Sequence, residues 1–276
     1  MIIWLASYPK SGNTWVRLLL DHLILDTDKF NINNSYVTQF PLRKHFLDLT
    51  SNINDLDELA KNCKAAQQKL NLDNKIKIFK THNALWTWNN NEYNFTDENC
   101  TLGVIHIVRD PRNVITSILK YYRKKNYKDA LDFMKENKVL GGNNEENGLP
   151  TIIASWSNHY NSWKKFKKNN LLIKYEDLLI NPEKEFLKIT DFLSSVGNFQ
   201  FNKDKIHKAV EYCNFENISK QEDIYGFLGN SKENKESKQK FFYLGPNNKW
   251  QNLLDDKIRI NLENLFKNEM RELNYL

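Results

Sequence analysis

Trp4-Leu5-Ala6-Ser7-Tyr8-Pro9-Lys10-Ser11-Gly12-Asn13-Thr14-Trp15 is the stretch from which the rest of the chain is read. The apolar run Ile2 to Ala6 has the character of a buried strand, and Pro9 to Gly12 form a turn. Beyond the turn, Trp15, Leu18, Leu19 and Leu23 keep helical spacing along an apolar side. A strand that passes through a small-residue turn into a helix N-terminus is an anion site. The first N–H groups of the helix lack an internal partner, and the helix dipole favours negative charge there. Lys10 adds a fixed positive charge, so the segment predicts a phosphorylated ligand. Taken alone, the loop also reads as an ordinary strand–turn–helix with an exposed lysine. It is not a Walker A loop, GxxxxGK[ST], whose lysine comes at the end. Here Lys10 precedes Gly12, so a nucleoside triphosphate with magnesium is not expected.

Working outward, Ile2–Ala6, Ile76–Phe79, Leu102–Val108 and Leu171–Lys174 are apolar, β-branched runs of buried parallel strands. Helical patterns separate them, which predicts βαβ crossovers and an α/β fold with both faces of its sheet covered. Asp110-Pro111 and Asn181-Pro182 each read as an N-cap followed by a first helical residue. Phe186, Ile189, Phe192 and Leu193 continue the second of these helices, and Gly197 is its expected stop. Gly141–Pro150 and Ser231–Lys240 are polar or charged without periodicity and read as solvated loops, either of them suited to a lid. The stretch from Leu253 to Leu273 has helical spacing and is expected to pack back on the core. No repeat or linker divides the chain, so residues 1–276 read as one domain.

The composition is that of a soluble globule, and the formal charge of +6 suits anionic ligands, as a lysine-rich solvated surface equally explains. Cys63, Cys100 and Cys213 are sparse, odd in number and without CxxC spacing, which argues against a disulfide framework or a zinc site. No apolar stretch approaches the roughly 20 residues of a bilayer span. The chain enters its first strand at Ile2 without a basic leader. A soluble, cytoplasmic protein is the expectation.

Three further groups fall at strand ends, where open α/β sheets bind ligands. Phe79-Lys80-Thr81-His82 brings a second lysine and a histidine to the rim that carries Lys10, and a histidine there suits a general base. Val108-Arg109-Asp110-Pro111 ends a strand in an arginine suited to bidentate phosphate contact, with Ser117 about two helical turns beyond the cap. Lys174-Tyr175-Glu176-Asp177 places a tyrosine where it either lines a base pocket or fills the top of the sheet.

Together, in this order, these segments resemble those of the sulfotransferases that use 3′-phosphoadenosine 5′-phosphosulfate (PAPS). Tyr8 to Trp15 is similar to that family's 5′-phosphosulfate loop, Lys80-Thr81-His82 to its catalytic histidine segment, and Val108 to Ser117 to its 3′-phosphate strand–helix. Lys174 to Pro182 is similar to its strand-end tyrosine motif, and the likeness runs from Trp4 to Trp250. The resemblance implies a P-loop-like three-layer fold with a central parallel sheet of four or five strands. It implies PAPS as donor, adenosine 3′,5′-bisphosphate (PAP) as product, and no metal. By the same likeness Ser11, Gly12, Asn13 and Thr14 hold the phosphosulfate, and Lys10 stabilises the leaving group. His82 is the base with Lys80 beside it. Arg109 and Ser117 bind the 3′-phosphate, Trp15, Tyr175 and Phe215 border the adenine, and Gly245 is a further cofactor-binding residue.

One departure stands out. The family carries Arg-Lys-Gly near its C-terminus, and this chain has Tyr243-Leu244-Gly245 in the stretch Phe241 to Trp250. Either Lys249, Lys240 or Lys238 substitutes for the missing charges, or 3′-phosphate binding is weaker. A small-molecule kinase of P-loop type and a non-catalytic nucleotide-binding module are the alternatives to an enzyme of this family. The expected partner is a small-molecule acceptor, with no nucleic acid. Residues 40–49, 85–95 and 139–153 are expected to surround it. Trp86, Trp88, Tyr93 and Phe95 suggest an apolar part in that acceptor, and core packing explains them as well.

Overall fold

The computed structural model describes residues 1–25, 31–141, 149–202 and 204–276. Its centre is β1 (Ile2–Ser7), every residue of which is buried. With β2 (Thr38–Gln39), β3 (Lys77–Thr81), β4 (Thr101–Val108) and β5 (Asn170–Lys174) it forms one sheet. The spatial order is β2-β3-β1-β4-β5, and every pair is parallel. Parallel neighbours need crossovers, and the crossovers are helical. In chain order the helices are α1 (Asn13–Leu25), α2 (Leu56–Asn71), α3 (Pro111–Tyr121), α4 (Tyr127–Lys135), α5 (Trp156–Lys164) and α6 (Tyr175–Ile180). They continue with α7 (Pro182–Gly197), α8 (Asp204–Tyr212), α9 (Phe215–Tyr225), α10 (Lys232–Glu236), α11 (Asp256–Leu265) and α12 (Lys267–Glu272).

Alternate residues of a strand face opposite ways, and the two faces of β1 build different cores. Ile3 and Leu5 pack with Leu19 of α1 and with Phe186, Ile189 and Leu193 of α7. Ile2, Trp4 and Ala6 pack with Leu59, Cys63 and Ala66 of α2 and with Trp163 of α5. The sheet is thus the middle of three layers, as the apolar runs predict. The C-terminal helices α11 and α12 close a third cluster with α3, α4 and α5 through Leu262, Phe266 and Met270.

Both expected N-caps form. The Asp110 carboxylate accepts from Arg112 N at 2.9 Å, and Asn181 Oδ1 accepts from Lys184 N at 3.1 Å. The second helix runs through Gly197, and its left-handed terminus is Asn198, with φ 53°. Two features depart from the sequence reading, and a third point that it left open is decided. The fifth strand, β2, has only two residues, too short for any period, and it exists because its backbone meets β3 (Gln39 beside Lys80). Ser231–Lys240 is not wholly a loop, since Ser231 caps α10 through Asn234 N at 3.2 Å. Phe95 and Trp86 are core residues: Phe95 packs against Trp4, Phe40, Trp86 and Trp163. Of the expected loop Gly141–Pro150, residues 142–148 lie outside the described residues. Its flanks pair as a short antiparallel ladder, Val139–Leu140 with Thr151–Ile152. The three cysteines are free and buried. Among the described residues no helix is long and apolar enough to cross a membrane.

Candidate functional site

Strands β1, β3 and β4 all end at one rim, where the chain leaves the sheet and its backbone groups are free of the ladder. A cavity of about 820 Å³ opens there. The Pro9–Trp15 loop forms one wall, the face of α3 a second, α9 a third and the 239–249 segment the fourth.

The loop turns through two left-handed residues, Lys10 (φ 66°) and Gly12 (φ 100°). At Gly12 the conformation and the space both require glycine: a Cβ would lie 2.2 Å from Tyr175 Cδ2. The Tyr175 ring therefore rests directly on the loop. It also stands edge-on to Trp15, with ring centres 5.9 Å apart, and under the Arg109 guanidinium, 4.2 Å from its centre. Trp15 is fixed in turn by Nε1 donating to the Cys213 carbonyl at 2.9 Å. Arg109 Nη1 donates to the Lys10 carbonyl at 3.1 Å, while its Nε is buried with no partner among the described residues.

Lys10 points its ammonium between two aromatic rings, 3.9 Å from the centre of Tyr121 and 3.9 Å from that of Phe241. Burial, then the charges of Arg109 and Lys80, lower its pKa to about 7. Lys80 is brought down to about 7 by burial and by Arg17. His82 Nδ1 lies 2.8 Å from the Ser7 carbonyl oxygen and 3.3 Å from Ser7 Oγ, and Ser7 Oγ accepts from Asn13 Nδ2 at 3.2 Å. Burial, then the neighbouring Lys80 and Lys10, push His82 down to about 3 against the hydrogen bond with Ser7, which raises it. The imidazole is thus held neutral with one tautomer fixed.

At the other end, Asp110 caps α3 and Arg112 grips that cap with Nη2 to Asp110 Oδ2 at 2.7 Å, while its Nη1 reaches Glu263 at 2.8 Å. Glu176 accepts from Asp110 N and from the Tyr275 hydroxyl, which ties the end of β5 and the chain's last residues to the start of α3. Ser117 faces the cavity and its Oγ accepts from Asn248 Nδ2 at 3.1 Å. Phe215 and Gly245 are in direct contact, since a Cβ on Gly245 would lie 2.2 Å from the Phe215 ring.

Residues 2–274 match the sulfotransferase domain family. The chain belongs to that family. The chain is 25% identical to sulfotransferase 1B1 of Canis lupus familiaris over 221 residues, 78% of this chain and 64% of the dog protein. The chain thus spans somewhat less than two thirds of that relative. Cytosolic sulfotransferase 13 of Arabidopsis thaliana is 25% identical over 261 residues, 91% of this chain and 71% of that protein. Among solved structures, mouse sulfotransferase SULT7A1 complexed with PAP superposes with a TM-score of 0.59 at 20% identity, covering 98% of this chain and 84% of that one. Retinol dehydratase in complex with androsterone and PAP gives 0.60 at 18% identity, covering 98% and 80%. At that identity the likeness carries the fold, a five-stranded parallel sheet flanked by helices.

In this sulfotransferase-family chain the cavity gathers Lys10, Gly12, Asn13, Thr14 and Trp15 from the loop, and Lys80 and His82 from the end of β3. It gathers Arg109, Ser117 and Tyr175 from the strand–helix junctions, and Phe215 and Gly245 from the far wall. Ser11 is the exception. It is 1% exposed and lines a separate space of about 10 Å³ with Tyr8, His106 and His159, and its Oγ has no partner among the described residues. Among the described residues, none of the three stretches expected around the acceptor lines the cavity, although Gln39 just before the first of them does. The sequence reading missed Arg17, Lys120, Tyr121 and Asn248, which line the cavity. Arg17, Lys120 and Tyr121 lie on the cavity faces of α1 and α3, so helical spacing from Asn13 and Ser117 was the available signal. Nothing local marks Asn248.

Proposed function

We propose that this chain moves a sulfuryl group from PAPS to a hydroxyl or amine of a small-molecule acceptor. The observation that carries the reading is the cavity's charge. Lys10, Lys80, Arg109 and Lys120 line it, Arg17, Lys240 and Lys249 join them, and among the described residues no aspartate or glutamate contributes to the lining. A wall of cations without acids suits a ligand with several phosphate-type charges. The aromatic and aliphatic side of the same cavity, with Trp15, Tyr175, Phe215 and Ile218, suits a base.

The residues divide the work by position. Lys10 and the N-terminal N–H groups of α1 hold the phosphosulfate end, and Lys10 bears the charge that develops on the departing oxygen. Lys80 shares that charge. His82 presents Nε2 to the acceptor, because its Nδ1 is engaged by the Ser7 carbonyl, and takes the acceptor's proton. Arg109 and Ser117 hold the 3′-phosphate. The reaction depends on alignment and charge stabilisation. The cytosolic names of relatives support a cytoplasmic site of action.

The test is transfer itself. The purified protein with PAPS and a panel of alcohols, phenols, amines and sugars is expected to give sulfated product and PAP in the presence of a magnesium chelator. A kinase of P-loop type would instead consume ATP only with magnesium. PAP binding without transfer to any acceptor would leave a binding module.

A further inference from the structure

We propose that Lys120 binds the donor's 3′-phosphate together with Arg109 and Ser117, supplying charge that Tyr243 and Leu244 do not. The inference rests on the PAPS reading above and names a residue which that reading does not assign.

Lys120 stands three residues after Ser117 on α3, and such residues are neighbours on one helix face. Both side chains line the cavity, as does Arg109 at the end of β4. A 3′-phosphate carries up to two negative charges, and Arg109 and Ser117 together offer one positive charge and a hydroxyl. The segment after Gln239 is fixed over this face of α3. Gln239 Nε2 donates to the Lys120 carbonyl at 3.0 Å, and Thr116 Oγ1 donates to Asn248 Oδ1 at 2.6 Å. Trp250 N donates to Asn113 Oδ1 at 2.9 Å. This register lays the Tyr243 ring against Lys120, whose ammonium nitrogen is 2.7 Å from the ring centre. Tyr243 thereby steers Lys120 over the cavity by a cation–π contact instead of bringing a charge of its own.

The other lysines of the segment are less suited. Lys240 is paired with Asp223 at 2.6 Å, Lys249 is exposed, and Lys238 does not line the cavity. Lys120 has no ion pair with an acid among the described residues, is partly buried and lines the cavity with its ammonium on the Tyr243 ring.

The experiment compares PAP with 5′-AMP, which lacks the 3′-phosphate, by calorimetric titration of wild type, Lys120→Ala and Lys120→Arg. Loss of a charge-assisted contact is expected to weaken PAP binding to Lys120→Ala by about tenfold or more, with AMP binding unchanged. Lys120→Arg is expected to retain the preference. Equal losses for PAP and AMP, unchanged PAP affinity in Lys120→Ala, or equal loss of preference in both variants would overturn the proposal. Wild type that binds neither nucleotide overturns the PAPS reading as well, and the first titration shows this separately.

Discussion

His82 Nδ1 lies 2.8 Å from the main-chain carbonyl oxygen of Ser7. A carbonyl only accepts, so Nδ1 carries the proton and Nε2 keeps the lone pair. Ser7 is the last residue of β1, and His82 follows the last residue of β3. The two strands pair from Ile2 beside Lys77 to Ala6 beside Thr81. The tautomer of the proposed base is therefore set by the register of the central sheet.

Replacing His82 with Ala or Gln is expected to lower kcat by about 100-fold to 10,000-fold, the range for a general base, with PAP affinity nearly unchanged. Single-turnover transfer from PAPS to an accepted phenol or alcohol, beside PAP titration, measures both. Retained turnover removes His82 from the chemistry.

PAP binding is expected to take up protons above neutral pH. Lys10 and Lys80 sit at about 7 because burial and neighbouring cations disfavour their charged forms. A bound polyanion reverses the electrostatic part and raises both. Between about 7 and the raised values the complex holds more protons than the free protein, so affinity falls as pH rises, by up to about tenfold per pH unit for each lysine. Titration in buffers of different ionisation enthalpy reads the uptake directly. A flat affinity across that window contradicts the assignment.

Gly12→Ala is expected to destabilise the protein and abolish PAP binding. The added methyl meets Tyr175 Cδ2 at 2.2 Å, and φ is 100° at that residue. Overpacking of this kind typically costs about 1–3 kcal/mol, and the backbone strain adds to it. Denaturant unfolding measures the loss. Adding Tyr175→Leu should recover part of the stability, leaving the strain.

Ser11→Ala is expected to be benign. Although Ser11 sits in the middle of the loop, its hydroxyl is buried, unpartnered and turned away from the main cavity. Removing an unsatisfied buried hydroxyl is near neutral or stabilising. A large fall in PAP affinity would place that hydroxyl on the ligand instead.

The strand–turn–helix at Ile2 to Leu23, the caps at Asp110 and Asn181 and the four longer buried strands were legible because each is a local pattern: burial period, cap chemistry and a turn. The rim location of Lys80, His82 and Arg109 followed from the parallel sheet, since strand ends share a side. The two-residue β2 and the short α10 were not legible, because neither is long enough to show a period. The aromatics after His82 were ambiguous in sequence, and contact decided them: Phe95 is buried against Trp4 with ring centres 5.0 Å apart.

By itself, then, the sequence determined the layer architecture, the anion-binding loop with its lysine ahead of the glycine, and which residues stand at strand ends. The tertiary structure alone decided which of them face one cavity. It set the Lys10 ammonium between Tyr121 and Phe241, residues far apart in the chain, turned Ser11 to the rear, and laid Tyr243 on Lys120. The physical reason is that side-chain charge states and contacts depend on burial and on neighbours joined through the sheet and the C-terminal segment, and a linear pattern carries neither.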